Sequence, residues 1–138
     1  KTTTTIKLPA RKFIYAVGKG FVANTDTVNV AFSEDVPMHV FAAFDKKQSA
    51  PEVKMPASVK AGENIVIQYN NLPAGRTVAI RVIGPDGNEL MERGVVVNTN
   101  DGKSYNFGVP YNAAKGSYKF TVKDYITGLS VEKTVVVK

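Results

Sequence analysis

Lys115-Gly116-Ser117-Tyr118-Lys119-Phe120-Thr121-Val122-Lys123-Asp124 decides how this 138-residue chain reads. Gly116 accepts backbone angles that a Cβ resists, so a tight turn can lead directly into Ser117 and its successors. Tyr118, Phe120 and Val122 then share one face, while Ser117, Lys119, Thr121 and Lys123 share the other. A period of two with one apolar face is a half-buried strand.

Outward from that strand the same alternation repeats. Towards the C-terminus, Leu129 to Val137 closes the sheet after a turn at Asp124 to Gly128. Towards the N-terminus, Ser104 to Val109 is a strand, and Asn98-Thr99-Asn100-Asp101-Gly102 is turn chemistry. Glu89 to Val97 reads as the hairpin partner of Val78-Ile80-Val82 across Pro85-Asp86-Gly87-Asn88, where Pro presets φ and Gly accepts a positive one. Ile65, Ile67 and Tyr69 form another inward face, Val59 to Glu63 is a turn, and Val53 to Met55 is a short first strand closed by Pro56. The count is seven strands, with turn signals every 8 to 14 residues. No segment sustains a helical period for three turns, so the chain reads as all-β.

Lys46 to Pro51 breaks the apolar pattern and marks a boundary, giving residues 1–48 and 49–138. The first part reads as a small β-meander of four or five short strands. Thr2 to Leu8 is ended by Pro9, which removes a ladder donor. Lys12 to Val17, Phe21 to Ala23 and Thr27 to Phe32 come next. Met38 to Phe44, nearly all apolar, reads as a strand covered on both faces. So few residues in short strands lie near the lower limit for independent folding without disulfides or metal. The piece therefore reads as leaning on a neighbour or as the tail of an upstream β-domain.

Composition narrows the function classes. With 43% hydrophobic and 22% charged residues the chain can bury a core. No apolar run approaches the roughly 18 residues of a membrane helix, so no membrane insertion is expected. The net charge of +6 is spread thinly, 7 basic against 4 acidic residues in 1–50 and 11 against 8 in 51–138. No like-charge run exceeds two residues, which disfavours nucleic acid as a partner. The absence of cysteine excludes disulfides, thiolate metal sites and Cys nucleophiles together. Beginning at Lys1 with no signal segment, the chain reads as a fragment of a longer polypeptide.

Candidate chemistry is sparse. His39 is the only histidine and sits between Met38 and Val40, so a structural or surface role is expected. The acids Glu34, Asp35, Asp86, Glu89, Asp101 and Asp124 fall in turns or outward positions and read as solvated charges, not as the paired carboxylates of a glycosidase. Asn98, Asn100 and Asp101, supplemented by Asp86 or Asp124, offer oxygen ligands for calcium, but the same residues serve a turn for local reasons. Sugar stacking would fall to Tyr15, Tyr69, Tyr105, Tyr111 and Tyr125, since there is no Trp. Tyr111 and Tyr125 lie in loops and are the candidate ligand contacts, though near opposite ends of strand 117–123. Neither a catalytic group nor a cofactor or metal site is assigned.

A Tyr just after a Gly turn and two residues before a buried position is the sequence form of the tyrosine corner of immunoglobulin-like sandwiches, which makes Tyr118 a structural residue. Pro56-Ala57-Ser58-Val59-Lys60-Ala61-Gly62-Glu63, Leu72-Pro73-Ala74-Gly75, Gly84-Pro85-Asp86-Gly87, Lys115-Gly116-Ser117-Tyr118 and Lys123-Asp124 with Thr127-Gly128 occur in that order. Together they resemble the bacterial immunoglobulin-like β-sandwich modules of large exported proteins, in particular the C-terminal accessory sandwiches beside glycoside hydrolases. Residues 11–44 are similar to the segment ending the preceding β-rich domain in such polypeptides.

The resemblance implies an immunoglobulin-like or fibronectin III-like sandwich over residues 49–138, preceded by the meander. It implies a non-catalytic spacer or scaffold of a secreted, periplasmic or cell-surface protein, whose partners are the neighbouring domains of the parent chain and a glycan or cell-surface protein. The alternative is a carbohydrate-binding accessory module of a polysaccharide-degrading enzyme.

Overall fold

A computed structural model describes residues 1–138, and the chain is all-β with only two single turns of 3-10 helix. It divides into two compact units, Lys1–Ser49 with Ile126–Gly128, and Ala50–Tyr125 with Leu129–Lys138.

The first unit is built on two long strands where several short ones are expected from sequence. β1 (Thr2–Ala16) and β2 (Gly20–Phe32) form an antiparallel ribbon, and β3 (Phe41–Phe44) adds to the other side of β1 over Phe13–Ala16. Pro9 does not end the first strand. Lys7 pairs with Thr27 and Lys12 with Thr25, so Leu8 to Arg11 form an irregularity in which a residue lacking N–H costs no ladder bond. Arg11 Nη1 donates to Asn24 O across it at 2.8 Å. Ile14, Val28 and Val30 are buried together, with Leu8, Phe32 and Phe41 packed against them.

Met38 to Phe44 is not a strand covered on both faces. Pairing begins only at Phe41, and Met38 and Val40 are exposed. The apolar run misleads because Met38 to Val40 lie outside the strand, and within it no residue from Phe41 to Phe44 is fully buried.

The second unit contains eight strands, one more than the turn spacing predicts. β4 (Val53–Lys54), β6 (Asn64–Tyr69) and β9 (Ser104–Gly108) form one sheet in the order β4-β6-β9. β5 (Ser58–Val59), β7 (Thr77–Ile83), β8 (Val95–Asn98), β10 (Gly116–Asp124) and β11 (Ser130–Val137) form the other, ordered β5-β11-β10-β7-β8. The added strand is β5, whose Val59 reads from sequence as the start of a turn. It pairs in parallel with β11, and Val136 N donates to Ala57 O while Lys138 N donates to Val59 O.

The Glu89 to Val97 hairpin partner is also shorter than its sequence suggests. Glu89 makes a single bridge to Ile83, Met91–Arg93 is a 3-10 turn, and regular pairing with β7 covers only Val95–Asn98.

Both sheets bury their inward residues in one core. Ile65, Ile67, Tyr69 and Phe107 come from the three-stranded sheet; Val78, Ile80, Val82, Tyr118, Phe120, Val122, Val135 and Val137 come from the five-stranded one. Phe107 meets Phe120 edge to face, with ring centroids 5.1 Å apart, so the sheets interlock through aromatic contact.

Candidate functional site

The tyrosines separate into three groups. Tyr15 and Tyr118 are buried with bonded hydroxyls: Tyr15 Oη accepts from Gln48 N, and Tyr118 Oη donates to Ala114 O, four residues upstream, both at 2.8 Å. Tyr111 and Tyr125 are exposed, Tyr111 almost fully. Tyr69 and Tyr105 form the third group, on the wall of a cleft between two sheet edges.

Tyr111 and Tyr125 are not brought together. Tyr111 precedes β10, with its ring edge against the backbone of Gly62, and Tyr125 comes after β10 with Lys123 Nζ 5.9 Å from its ring centroid. The nine residues of β10 between them span about 26 Å, so the pair cannot stack on one sugar unit.

His39 is occupied structurally. Its Nε2 is 2.7 Å from Ala31 O, and the ring lies edge-on to Phe32 and parallel to Phe41. Among the acids, Asp124 departs from expectation. It is fully buried and accepts a hydrogen bond from Arg76 Nη1 at 2.5 Å, where its sequence position suggests a solvated charge. The last residue of an alternating strand points inward here because β10 keeps pairing with β7 as far as Asp124↔Val78. Asp124 is therefore committed to Arg76 and is not a supplementary cation ligand.

Asp86 holds its own turn. Asn88 donates to it from its backbone N and its side-chain amide, and these bonds hold the carboxyl below its ordinary pKa of 3.8. Asn98 Oδ1 accepts from Asn100 N, capping the 3-10 turn Thr99–Asp101. Nowhere do three His, Cys, Asp or Glu side chains come close enough to form a metal site.

The cleft of Tyr69 and Tyr105 opens between β8 and β9, the edge strands of the two sheets. It is about 440 Å³ and is lined by Tyr69, Thr77, Asn98, Asp101, Ser104 and Tyr105, with Val96 and Val97. Turn residues that read as purely local from sequence thus share a wall with two tyrosines. A second, apolar cavity of about 190 Å³ lies between Phe107, Tyr118 and Arg93. Arg93 closes over it, with its guanidinium 4.3 Å from the Phe107 ring centroid and Nη2 donating to Gly108 O at 2.5 Å.

No protein-family model matches this chain, and neither does any curated protein sequence.

Proposed function

We propose that this chain is a non-catalytic structural module of a larger secreted or cell-surface bacterial protein, holding neighbouring domains apart as a spacer or scaffold. Its larger unit is read as an immunoglobulin-like sandwich. The strand order β5-β11-β10-β7-β8 opposite β4-β6-β9 supports that reading, and so does the Tyr118 hydrogen bond to Ala114 O.

The spacer role rests on where the second unit begins and ends. Val53 starts β4 opposite Tyr69, at the end where β7 begins and β10 finishes. Val137 finishes β11 opposite Gly116, at the end where β10 begins. Entry and exit are thus separated by the length of a strand, about 26 Å along β10. A core shared by both sheets keeps that separation fixed.

Spin labels on Glu52→Cys and Lys138→Cys in the full chain test this by pulsed electron resonance. Because the chain has no cysteine of its own, labelling is confined to these sites. A single narrow distance distribution is the expected result. A broad one contradicts a rigid spacer.

A further inference from the structure

Tyr69 is only 1% exposed, yet its hydroxyl has no hydrogen-bond partner within the protein. No fully buried side-chain oxygen lacks a partner, so this hydroxyl must reach the cleft that Tyr69 lines. The other two buried tyrosines, Tyr15 and Tyr118, each bond to backbone. The Tyr69 hydroxyl is thus held in place by a buried ring, with its donor and acceptor both available to an occupant of the cleft.

The surroundings define what can answer it. Burial, and after it the charge of Asp101 on the same wall, raises the Tyr69 pKa above its ordinary 10.0. Asn98 uses Oδ1 to cap its own turn, while its amide N–H groups carry no intramolecular bond. Ser104, Thr77 and Tyr105 add hydroxyls, and Val96 and Val97 contribute apolar surface. No cationic side chain lines the wall, so an anion would meet Asp101 uncompensated. A lone organic cation would satisfy Asp101 but leave the hydroxyl and amide donors without acceptors.

A sugar ring has what this wall lacks. Each of its hydroxyls both donates and accepts, and its C–H face suits valine and half-buried tyrosine. The volume also falls in the range of roughly 300–1,000 Å³ typical of small-molecule sites.

We infer that the cleft between β8 and β9 binds a neutral saccharide, with Tyr69 Oη and Asn98 Nδ2 donating to its hydroxyls and the Asp101 carboxylate accepting from them. This goes beyond the spacer reading and does not depend on it. The site differs from the loop residues Tyr111 and Tyr125 singled out from sequence as ligand contacts, and uses Tyr69 and Tyr105 from the wider set of five tyrosines considered for sugar stacking.

The test is an amide NMR titration of the full chain with cellohexaose, maltohexaose and mannohexaose, each up to about 5 mM, the range in which a single small site is detected. Shifts at Asn98, Asp101, Ser104 and Tyr105 with at least one of these glycans are expected. Tyr69→Phe and Asp101→Asn should each weaken binding about tenfold. Tyr111→Ala and Tyr125→Ala should leave it unchanged.

Tyr69→Phe removes a hydroxyl without a protein partner, so its melting temperature should match the parent's. Loss of binding then cannot be blamed on unfolding. Absence of shifts with all three glycans overturns the inference. So does binding that is indifferent to Tyr69→Phe, or binding of tetramethylammonium in place of the sugars. The label-distance experiment is untouched by any of these results.

Discussion

Arg76 and Asp124, 48 residues apart in sequence, form an ion pair at 2.5 Å with the Asp124 side chain fully buried and only 9% of the Arg76 side chain exposed. The pair ties the segment entering β7 to the last residue of β10. Arg76 N also donates to Thr99 Oγ1, which in turn donates to Pro73 O. This polar cluster fixes the end of the unit at which the β8–β9 cleft opens. Asp124→Ala leaves a guanidinium charge buried without its counter-charge and should cost about 3–5 kcal/mol in urea unfolding. Replacing both with Arg76→Met and Asp124→Leu should cost clearly less than the single change. If the double variant is the less stable of the two, the cluster contributes more than charge neutralisation.

The corner before β10 makes a second expectation. Tyr118→Phe deletes the bond to Ala114 O and should lower stability by about 0.5–1.5 kcal/mol. Gly116→Ala should cost more than about 1 kcal/mol. Gly116 has φ of +132°, and a Cβ there would lie 2.9 Å from Pro85 Cβ. Chemical denaturation of the two variants checks both values. An unaffected Gly116→Ala protein would mean the turn has a different backbone.

Much of this corner is legible in the chain itself. Tyr118, Phe120 and Val122 alternate inward as their spacing dictates, because a strand's period is local. What sequence conceals is pairing across distance. β5 has two residues, too few to show a period, and is a strand only because β11 lies beside it. Pro9 reads as a terminator, yet β1 resumes pairing after the irregularity because β2 runs on opposite it. Asp124 reads as solvated because nothing nearby in sequence announces Arg76. The cleft is hidden for the same reason. Tyr69 alternates as a core residue, and Asn98 and Asp101 look like turn formers; only the meeting of two sheet edges puts them on one wall.

Protonation gives a third expectation, with opposite signs at two residues. Tyr69 has its pKa raised above the ordinary 10.0, by burial first and by Asp101 second. Its contribution is fully present below the unfolded value of about 10 and is lost as pH climbs through the folded value. Tyr69→Phe should therefore flatten the alkaline fall in stability. Asp86 is held below 3.8 by its bonds from Asn88, so its contribution is present above that value and fades as pH falls through the folded one. Asn88→Ala keeps the backbone donor, the larger cause, and removes the side-chain amide, so it should return the Asp86 carboxyl only part of the way towards 3.8 in an NMR titration. A titration unchanged by that substitution would contradict the turn described for Asp86.

The most direct measurement pulls on the second unit through its two ends, with Glu52→Cys and Lys138→Cys as handles on the full chain. β5 and β11 are parallel, Ser58 pairing with Val136 and Val59 with Val137. Tension applied from opposite ends drives these strands past each other, so the bonds between them are loaded together in shear and do not unzip one by one. Val136→Pro removes the donor to Ala57 O at a partly exposed residue and should lower the force required. A distinct unfolding peak is expected in the parent chain and a lower one in Val136→Pro. Extension without a peak, or a peak indifferent to Val136→Pro, would contradict a rigid spacer closed by the β5–β11 pair.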